Sequence, residues 1–340
     1  MQHNPFLIAV PIVGLLLLFA PFLLPEYRAS NSGKLDLLSV ILSLIAILPI
    51  IYGIKQISKH GLVPDAMATI VIGAVFTFLF VKRQRQLDDP LLDITLFANR
   101  TFSIALLVLL VGLIAVGGAM LLVAQYLQLV AGYSPFISGL WMGLAALAMI
   151  TGGIAAPLIA RYIRPGFVVA SSLGLSVVGY YLFTQLGNDT YSVIISIIGL
   201  SLAYLGNGTI AALGTELVVG SAPPEKAGSA SAMTETVQDL GISLGIAILG
   251  SIANAVYHYT IVSQIPEHLT GRVRDIVSDS LWSATSIATE LPSGLLLNAQ
   301  VAFTSGFHMA AVVSALGIMI LAIVAAISLR HIKIHDDKKQ

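Results

Sequence analysis

Residues 228–258 read GSASAMTETVQDLGISLGIAILGSIANAVYH, and this stretch decides the fold class. It is small and apolar for long enough to cross a bilayer, yet Glu235 and Asp239 sit inside it. Four residues on a helix separate the two by about 6 Å along the axis and roughly 40° around it, so they share a face. With the span starting near Gly228, Glu235 lies roughly 10 Å deep and Asp239 roughly 16 Å deep in a hydrocarbon core about 30 Å thick. An ionisable group at that depth costs at least about 2.5–3.5 kcal/mol on insertion scales, so by default it faces a cavity and marks function. The structural alternative is a neutral carboxylic acid hydrogen-bonded between packed helices.

The composition extends this reading to the whole chain of 340 residues. It is 57% hydrophobic and 10% charged, with a mean hydropathy of +0.92. Such values place it among all-α polytopic membrane proteins rather than soluble domains. The formal net charge is zero, so a nucleic-acid partner has no support. With no cysteine, disulfides, thiolate metal sites and a cysteine nucleophile are excluded, and no cofactor is expected. Met1-Gln2-His3-Asn4 holds no basic residue ahead of the first apolar run, unlike a signal peptide.

Runs long enough to span lie at 6–24, 37–57, 65–81, 102–124, 135–160, 167–186, 191–217, 229–258 and 302–329, which predicts about nine helices. Pro11, Pro49 and Pro157 fall within or at the ends of these runs, where a membrane helix tolerates them as kinks. One set of alternate loops holds Arg28, Lys34, Lys82, Arg83, Arg85, Arg100, Arg161, Arg164 and Lys226, and the C-terminal Arg330, Lys333, Lys338 and Lys339 belong with it. The other set holds only Lys55, Lys59, Arg272 and Arg274. The bias puts the C-terminus in the cytoplasm and, for an odd number of spans, the N-terminus outside. A first helix entering from outside without a signal predicts that further helices belong upstream.

The long outer segment, about 263–301, repeats Leu269, Val273, Ile276, Val277 and Leu281 at helical spacing beside charged residues. Short amphipathic helices on the outer membrane surface, or an ordered connector, both fit.

Several runs then resemble a known family. Leu24-Pro25-Glu26-Tyr27-Arg28 with Gly33-Lys34-Leu35-Asp36 resembles the segment leaving the sixth helix of the fourteen-span drug:proton antiporters of the major facilitator superfamily. Pro90-Leu91-Leu92-Asp93 with Leu96-Phe97-Ala98-Asn99-Arg100 resembles the start of their ninth helix. Gln125-Tyr126-Leu127-Gln128 with Gly132-Tyr133-Ser134-Pro135 resembles the turn into the tenth. Pro223-Pro224-Glu225-Lys226-Ala227-Gly228 through Glu235 and Asp239-Leu240-Gly241 resembles the thirteenth. The strongest likeness is to bacterial quaternary ammonium and methyl viologen efflux pumps.

The resemblance implies a partial major-facilitator fold. Residues 1–24 would be the last helix of the N-terminal bundle, 25–101 two inserted linker helices with cytoplasmic flanks, and 102–340 the C-terminal six-helix bundle. It implies proton-coupled export of lipophilic and quaternary ammonium cations across the bacterial plasma membrane, by a chain lacking the first five helices. A carrier for another solute, an inactive truncated product and a partner subunit of a missing N-terminal half are the alternatives. Glu235 and Asp239 match the family's acidic pair, proposed to bind cations and exchange protons. Two carboxylates so close titrate as a couple rather than singly. Some quaternary ammonium pumps carry a further acid in the tenth helix, where this chain has Met149.

The candidates for lining the cavity are Gln125, Gln128, Tyr126, Trp141, Tyr204 and Asn207. Trp141, Tyr126, Tyr180, Tyr181 and Tyr204 are available for contacts to a lipophilic cation. Each has an ordinary reading beside that one: packing for the aromatics, interhelical hydrogen bonding for the amides. Glu216 reads as an interfacial acid, Asp65 as a helix cap, and His258 and His308 as satisfied membrane histidines. Ala156-Pro157-Leu158 to Arg161-Tyr162-Ile163-Arg164 faintly echoes the loop motif of the family's other half. Gly241-Ile242-Ser243-Leu244-Gly245 spells a hydrolase elbow but lacks the preceding strand that the elbow needs. Small residues at this spacing predict close helix approach instead, as do Gly139 and Gly143.

Overall fold

The computed structural model describes residues 36–329 apart from 61–62, 88–89, 91, 188, 267–268 and 270. The predicted span 6–24, with the N-bundle helix assigned to 1–24, lies outside the described residues. The other eight predicted spans are all helices, and eight helices among the described residues are long and apolar enough to cross a membrane. These are α1 (Leu37–His60), α2 (Pro64–Gln84), α3 (Arg100–Gln125), α4 (Pro135–Ala160), α5 (Pro165–Phe183), α6 (Thr190–Thr209), α8 (Ala227–Val262) and α11 (Leu295–Ser328). The short α7 (Thr215–Gly220) completes the α6 span, and α9 (Gly271–Asp279) and α10 (Leu281–Ser286) fill the outer segment. The described residues form no strand. Internal hydrogen bonding within helices is what lets a chain this apolar place its backbone in lipid.

Starts and stops follow local chemistry. The Asn99 side chain caps α3 by accepting from the Thr101 and Phe102 amides, while its own amide donates to the Ser221 carbonyl at 2.9 Å. Ser134 caps α4 ahead of Pro135, and Asp189 caps α6. Asp65 is not a cap: Val63 takes that position and Pro64 begins the helix. Asp65 lies in the first turn, where its charge meets the positive end of the helix dipole. Two π-helical turns, Tyr126–Val130 and Ile210–Gly214, extend α3 and join α6 to α7.

Six spans assemble into one bundle. Helix α3 packs chiefly on α8, α6 holds both α4 and α5, and α11 packs on α5 and α8. Helix α3 is one of the two most enclosed, with Phe102, Leu109, Leu122 and Val123 fully buried. Leu144, Ile154, Tyr181, Ile320 and Ile323 point outward in the manner of lipid-facing side chains. Helices α1 and α2 pack on each other through Gly53 and Gly73, where an added Cβ would lie 2.9 Å from the Ala66 and 2.8 Å from the Ala46 carbonyl oxygen. The Gln84 amide donates to Ser39 at 2.7 Å, and its carbonyl oxygen accepts from the Leu92 amide at 2.9 Å. This second bond carries the hairpin into the segment ahead of α3.

At the same end Lys226 pairs with Asp93 at 2.6 Å and donates to Thr95 at 2.9 Å. The contact ties that segment to the start of α8. Burial pushes the Asp93 carboxyl up, but hydrogen bonds from Lys226 and Thr95 and the Lys226 charge outweigh it and hold it below its ordinary value of 3.8. A depressed carboxylate stabilises the fold above its unfolded value and loses that contribution as pH falls through the folded one. Asp93→Asn is expected to cost about 0.5 kcal/mol at pH 7, screened because Lys226 is half-exposed. Thermal melts should show the parent and variant converging as pH falls through the lowered Asp93 value.

The outer segment departs from the surface-lying arrangement. Val277, Leu281 and Ala284 are buried, and the Tyr257 hydroxyl donates to the Val277 carbonyl at 2.6 Å. The apolar stripe of α9 and α10 therefore packs onto the bundle end rather than into lipid. Histidines close the same end: His258 bonds the Ser278 carbonyl and His308 the Leu186 carbonyl, both at 2.9 Å.

The fold gives a direct topology test, since the chain is free of cysteine. Tyr162, 83% exposed, lies at the Arg161 end of the bundle, whereas Tyr191 and Tyr259, 75% and 85% exposed, lie at the other. Single cysteines at 162 should react with an impermeant thiol reagent only from the cytoplasm, and those at 191 and 259 only from outside. Same-side labelling of 162 and 259 is the result that would break the assignment.

Candidate functional site

Helix α8 has one packed side and one open side. Ala230, Met233 and Thr234 are buried, and Gly241, Gly245, Leu249, Ala253 and Tyr257 follow at four-residue intervals, also buried, which is the signature of a packed helical face. On that face the α3 and α8 backbones meet. A Cβ on Gly245 would lie 2.1 Å from the Ile114 carbonyl oxygen, and one on Gly117 of α3 2.6 Å from that of Ile242. Gly139 and Gly143 do not act this way, because nothing lies within 4 Å of either. They sit off the buried stripe of α4, which runs through Ser138, Ala145, Gly152 and Ala156.

The open side of α8 carries Glu235, Asp239, Ile242 and Ile246, all exposed. The two carboxylates therefore share one face, turned away from the seam with α3, about 6 Å apart along the axis. Being exposed, they are not enclosed between packed helices among the described residues. The same stripe continues through Gly250 and Asn254 into a cavity of about 470 Å³ at the end that the charge bias assigns to the outside, whose walls include Gln125, Lys55, Asp279 and Trp282. Asp239 and Ile246, where the cavity begins, are about 10 Å apart along the helix.

The other candidates divide between this face and the bundle interior. Gln125 lines the outer cavity and Gln128 lies partly buried on the π-turn. Tyr126 is 1% exposed, donates to the Gly187 carbonyl at 2.7 Å and meets Phe307 edge-on, which pins the α5–α6 turn to α3. Tyr180 and Tyr204 are buried, Trp141 packs partly buried against the core, and Tyr181 faces outward. Asn207 is buried on α6 with its amide nitrogen 3.8 Å from the Met149 sulfur. Its carbonyl oxygen has no partner among the described residues. Glu216 is exposed near the Arg161 end of the bundle.

Residues 3–246 match the family model of the Major Facilitator Superfamily. The chain belongs to that superfamily. It is 33% identical over 329 residues to the multidrug efflux pump LfrA of Mycolicibacterium smegmatis, covering 96% of this chain and 65% of the relative. It is 29% identical over 293 residues to the methyl viologen resistance protein SmvA of Salmonella typhimurium, covering 84% and 58%. The multidrug resistance protein Stp of Mycobacterium tuberculosis is 27% identical over 254 residues, 74% of this chain and 46% of the relative. The chain thus spans under two thirds of the length of these relatives.

This membership places the chain in a superfamily of multi-pass membrane transporters rather than of enzymes. Ser243 lies within the membrane helix α8, between two glycines that serve the α3 seam. The sequence reading missed Asn254, Lys55, Asp279 and Trp282 around the outer cavity. Asn254 could have been found, because it continues the three-and-four spacing of the acidic stripe. The other three come from separate elements that only the fold brings together.

Proposed function

We propose that the chain supplies the C-terminal bundle, with its cation-binding and proton-coupling site, of a bacterial plasma-membrane exporter of lipophilic and quaternary ammonium cations. On this reading its C-terminus is cytoplasmic, α1 and α2 are the inserted linker pair, and the acidic face of α8 lines a pathway closed by a second bundle. The observation that carries the reading is the placement of Glu235 and Asp239 on the open side of a membrane helix that is held by glycine contacts on its other side. Fixed carboxylates in a site that excludes water bind either a proton or an organic cation, and that competition is what antiport requires. The stripe from Asp239 to the outer cavity gives the cation a route outward, with Trp282 and Gln125 at its end. The drug-resistance names of the relatives agree with this direction of transport. Met149 beside Asn207 provides no third acid, which favours monovalent lipophilic cations over rigid dications.

Alternating access needs two bundles rocking about a midplane site. Vesicles holding this chain with an opposing bundle supplied from a longer relative should release protons when a quaternary ammonium dye is added, and vesicles holding this chain alone should not. Release by the chain alone would overturn the need for the second bundle. Absence of release from both would overturn the proton coupling.

A further inference from the structure

The run from Ala156 to Arg164 has no part in the efflux reading, and it borders a second cavity. Helices α4 and α5 barely touch each other although both pack closely on α6. The cause lies in α6, which presents glycines to both. A Cβ on Gly208 would lie 2.0 Å from the Met149 carbonyl oxygen of α4, and one on Gly206 would lie 2.8 Å from the Ser172 carbonyl oxygen of α5. With each helix held to α6, the space between them stays open toward the Arg161 end. The result is a groove of about 710 Å³, floored by Leu205 and walled by Ala155, Ile159, Ile163, Phe167 and Leu175. From Thr151 to Ile163 it runs about 18 Å, close to the depth of one leaflet, roughly 15 Å.

The lining offers nothing to a polar or cationic guest. Its hydroxyls are satisfied by backbone carbonyls of their own helices: Thr151 by Leu147 at 2.6 Å, Ser171 by Val168 at 3.0 Å, Ser172 by Val169 at 2.9 Å and Thr209 by Leu205 at 3.2 Å. Among the described residues, no charged side chain lines it. A polar guest entering there would give up water contacts with no replacement, whereas hydrocarbon would not. The mouth is different in kind. Arg161 and Arg164 are both exposed at the end that the charge bias assigns to the cytoplasm. Leu329 packs against Gly166 beside them. A basic rim over an apolar slot repels a lipophilic cation and attracts a phosphate that carries an acyl chain.

We propose that the α4–α5 groove binds an anionic phospholipid, with one acyl chain between the helices and the phosphate held by Arg161 and Arg164. The test uses the purified 340-residue chain with phosphatidylglycerol and phosphatidylcholine, read by native mass spectrometry. A phosphatidylglycerol analogue carrying a photoreactive group on its acyl chain should cross-link to residues 151–175. Arg161→Gln should weaken phosphatidylglycerol binding about five-fold, and the double change with Arg164→Gln about 25-fold. Arg161→Lys should restore most of the loss, and phosphatidylcholine, whose choline charge offsets its phosphate, should lose less than phosphatidylglycerol does. Ala155→Leu, which fills the groove, should suppress the cross-link while the arginines remain. Equal binding of the two lipids, or unchanged phosphatidylglycerol binding in the double variant, overturns the proposal. Displacement of the bound lipid by a quaternary ammonium dye overturns it too, in favour of a drug pathway.

Discussion

Gly245→Val is expected to yield no monodisperse folded protein, and Gly245→Ala to lower stability by about 2–3 kcal/mol, the upper range for an overpacked helix contact. The reason is what the new methyl group would meet. An added Cβ lies 2.1 Å from the Ile114 carbonyl oxygen and 2.9 Å from its carbon. Both are backbone atoms, so no side chain can rotate away and the two helices must separate. Separation also loosens the close approaches of Gly117 to Ile242 and Gly118 to Leu249 along the same seam. Between membrane helices the cohesion is van der Waals contact and interhelical hydrogen bonding, so lost proximity is not replaced by a hydrophobic driving force. Gly143→Ala is the control. Nothing lies within 4 Å of that position, and alanine there should be neutral or stabilise by up to about 1 kcal/mol through helix propensity. Size-exclusion profiles and thermal melts of the detergent-purified variants decide it. Equal melting of the Gly245→Ala and Gly143→Ala variants would show that the seam does not hold the bundle.

That contrast also measures how far the sequence could be read. Hydropathy located eight spans because lipid imposes one requirement on every residue of a run. It placed the last helix at 302, whereas α11 begins at Leu295. Asn298 and Gln300 depress the local hydropathy, and the Gln300 amide is satisfied by the Leu129 carbonyl at 2.9 Å, a partner 171 residues away. Tyr126 was a candidate for the cavity for a similar reason. Its phenol looks available until folding brings up the Gly187 carbonyl, 61 residues on. Small-residue spacing was right for Gly241 and Gly245 but not for Gly139 and Gly143, because spacing shows that a helix can be approached, not which face is. The π-turns at Tyr126–Val130 and Ile210–Gly214 left no sequence signal we can identify.

In a transporter with both bundles present, Glu235→Gln and Asp239→Asn should each reduce efflux of quaternary ammonium dyes at least ten-fold while leaving expression and melting temperature unchanged. Both substitutions keep size and polarity and remove charge and titration, so they separate a coupling role from a packing role. The geometry predicts that folding is indifferent to them. Neither side chain is buried among the described residues, and the glycines that hold α8 to α3 lie on a different face of the helix. Had the acids served as hydrogen-bonded struts between helices, the same variants would lose folded protein, since an unsatisfied polar group in a bundle costs about 1–3 kcal/mol. With a single carboxylate left, proton and cation still compete, so residual efflux should keep some dependence on pH. With both removed, that dependence should disappear along with drug-stimulated proton release, because no carboxylate is left on the face to exchange a proton for a cation. Glu216→Gln is the internal reference. Glu216 is exposed near the Arg161 end and off the acidic stripe, and its replacement should leave efflux within about two-fold of the parent, as surface substitutions generally do. Full-rate, pH-dependent efflux by the Glu235→Gln, Asp239→Asn double variant would show that the proton travels by another route.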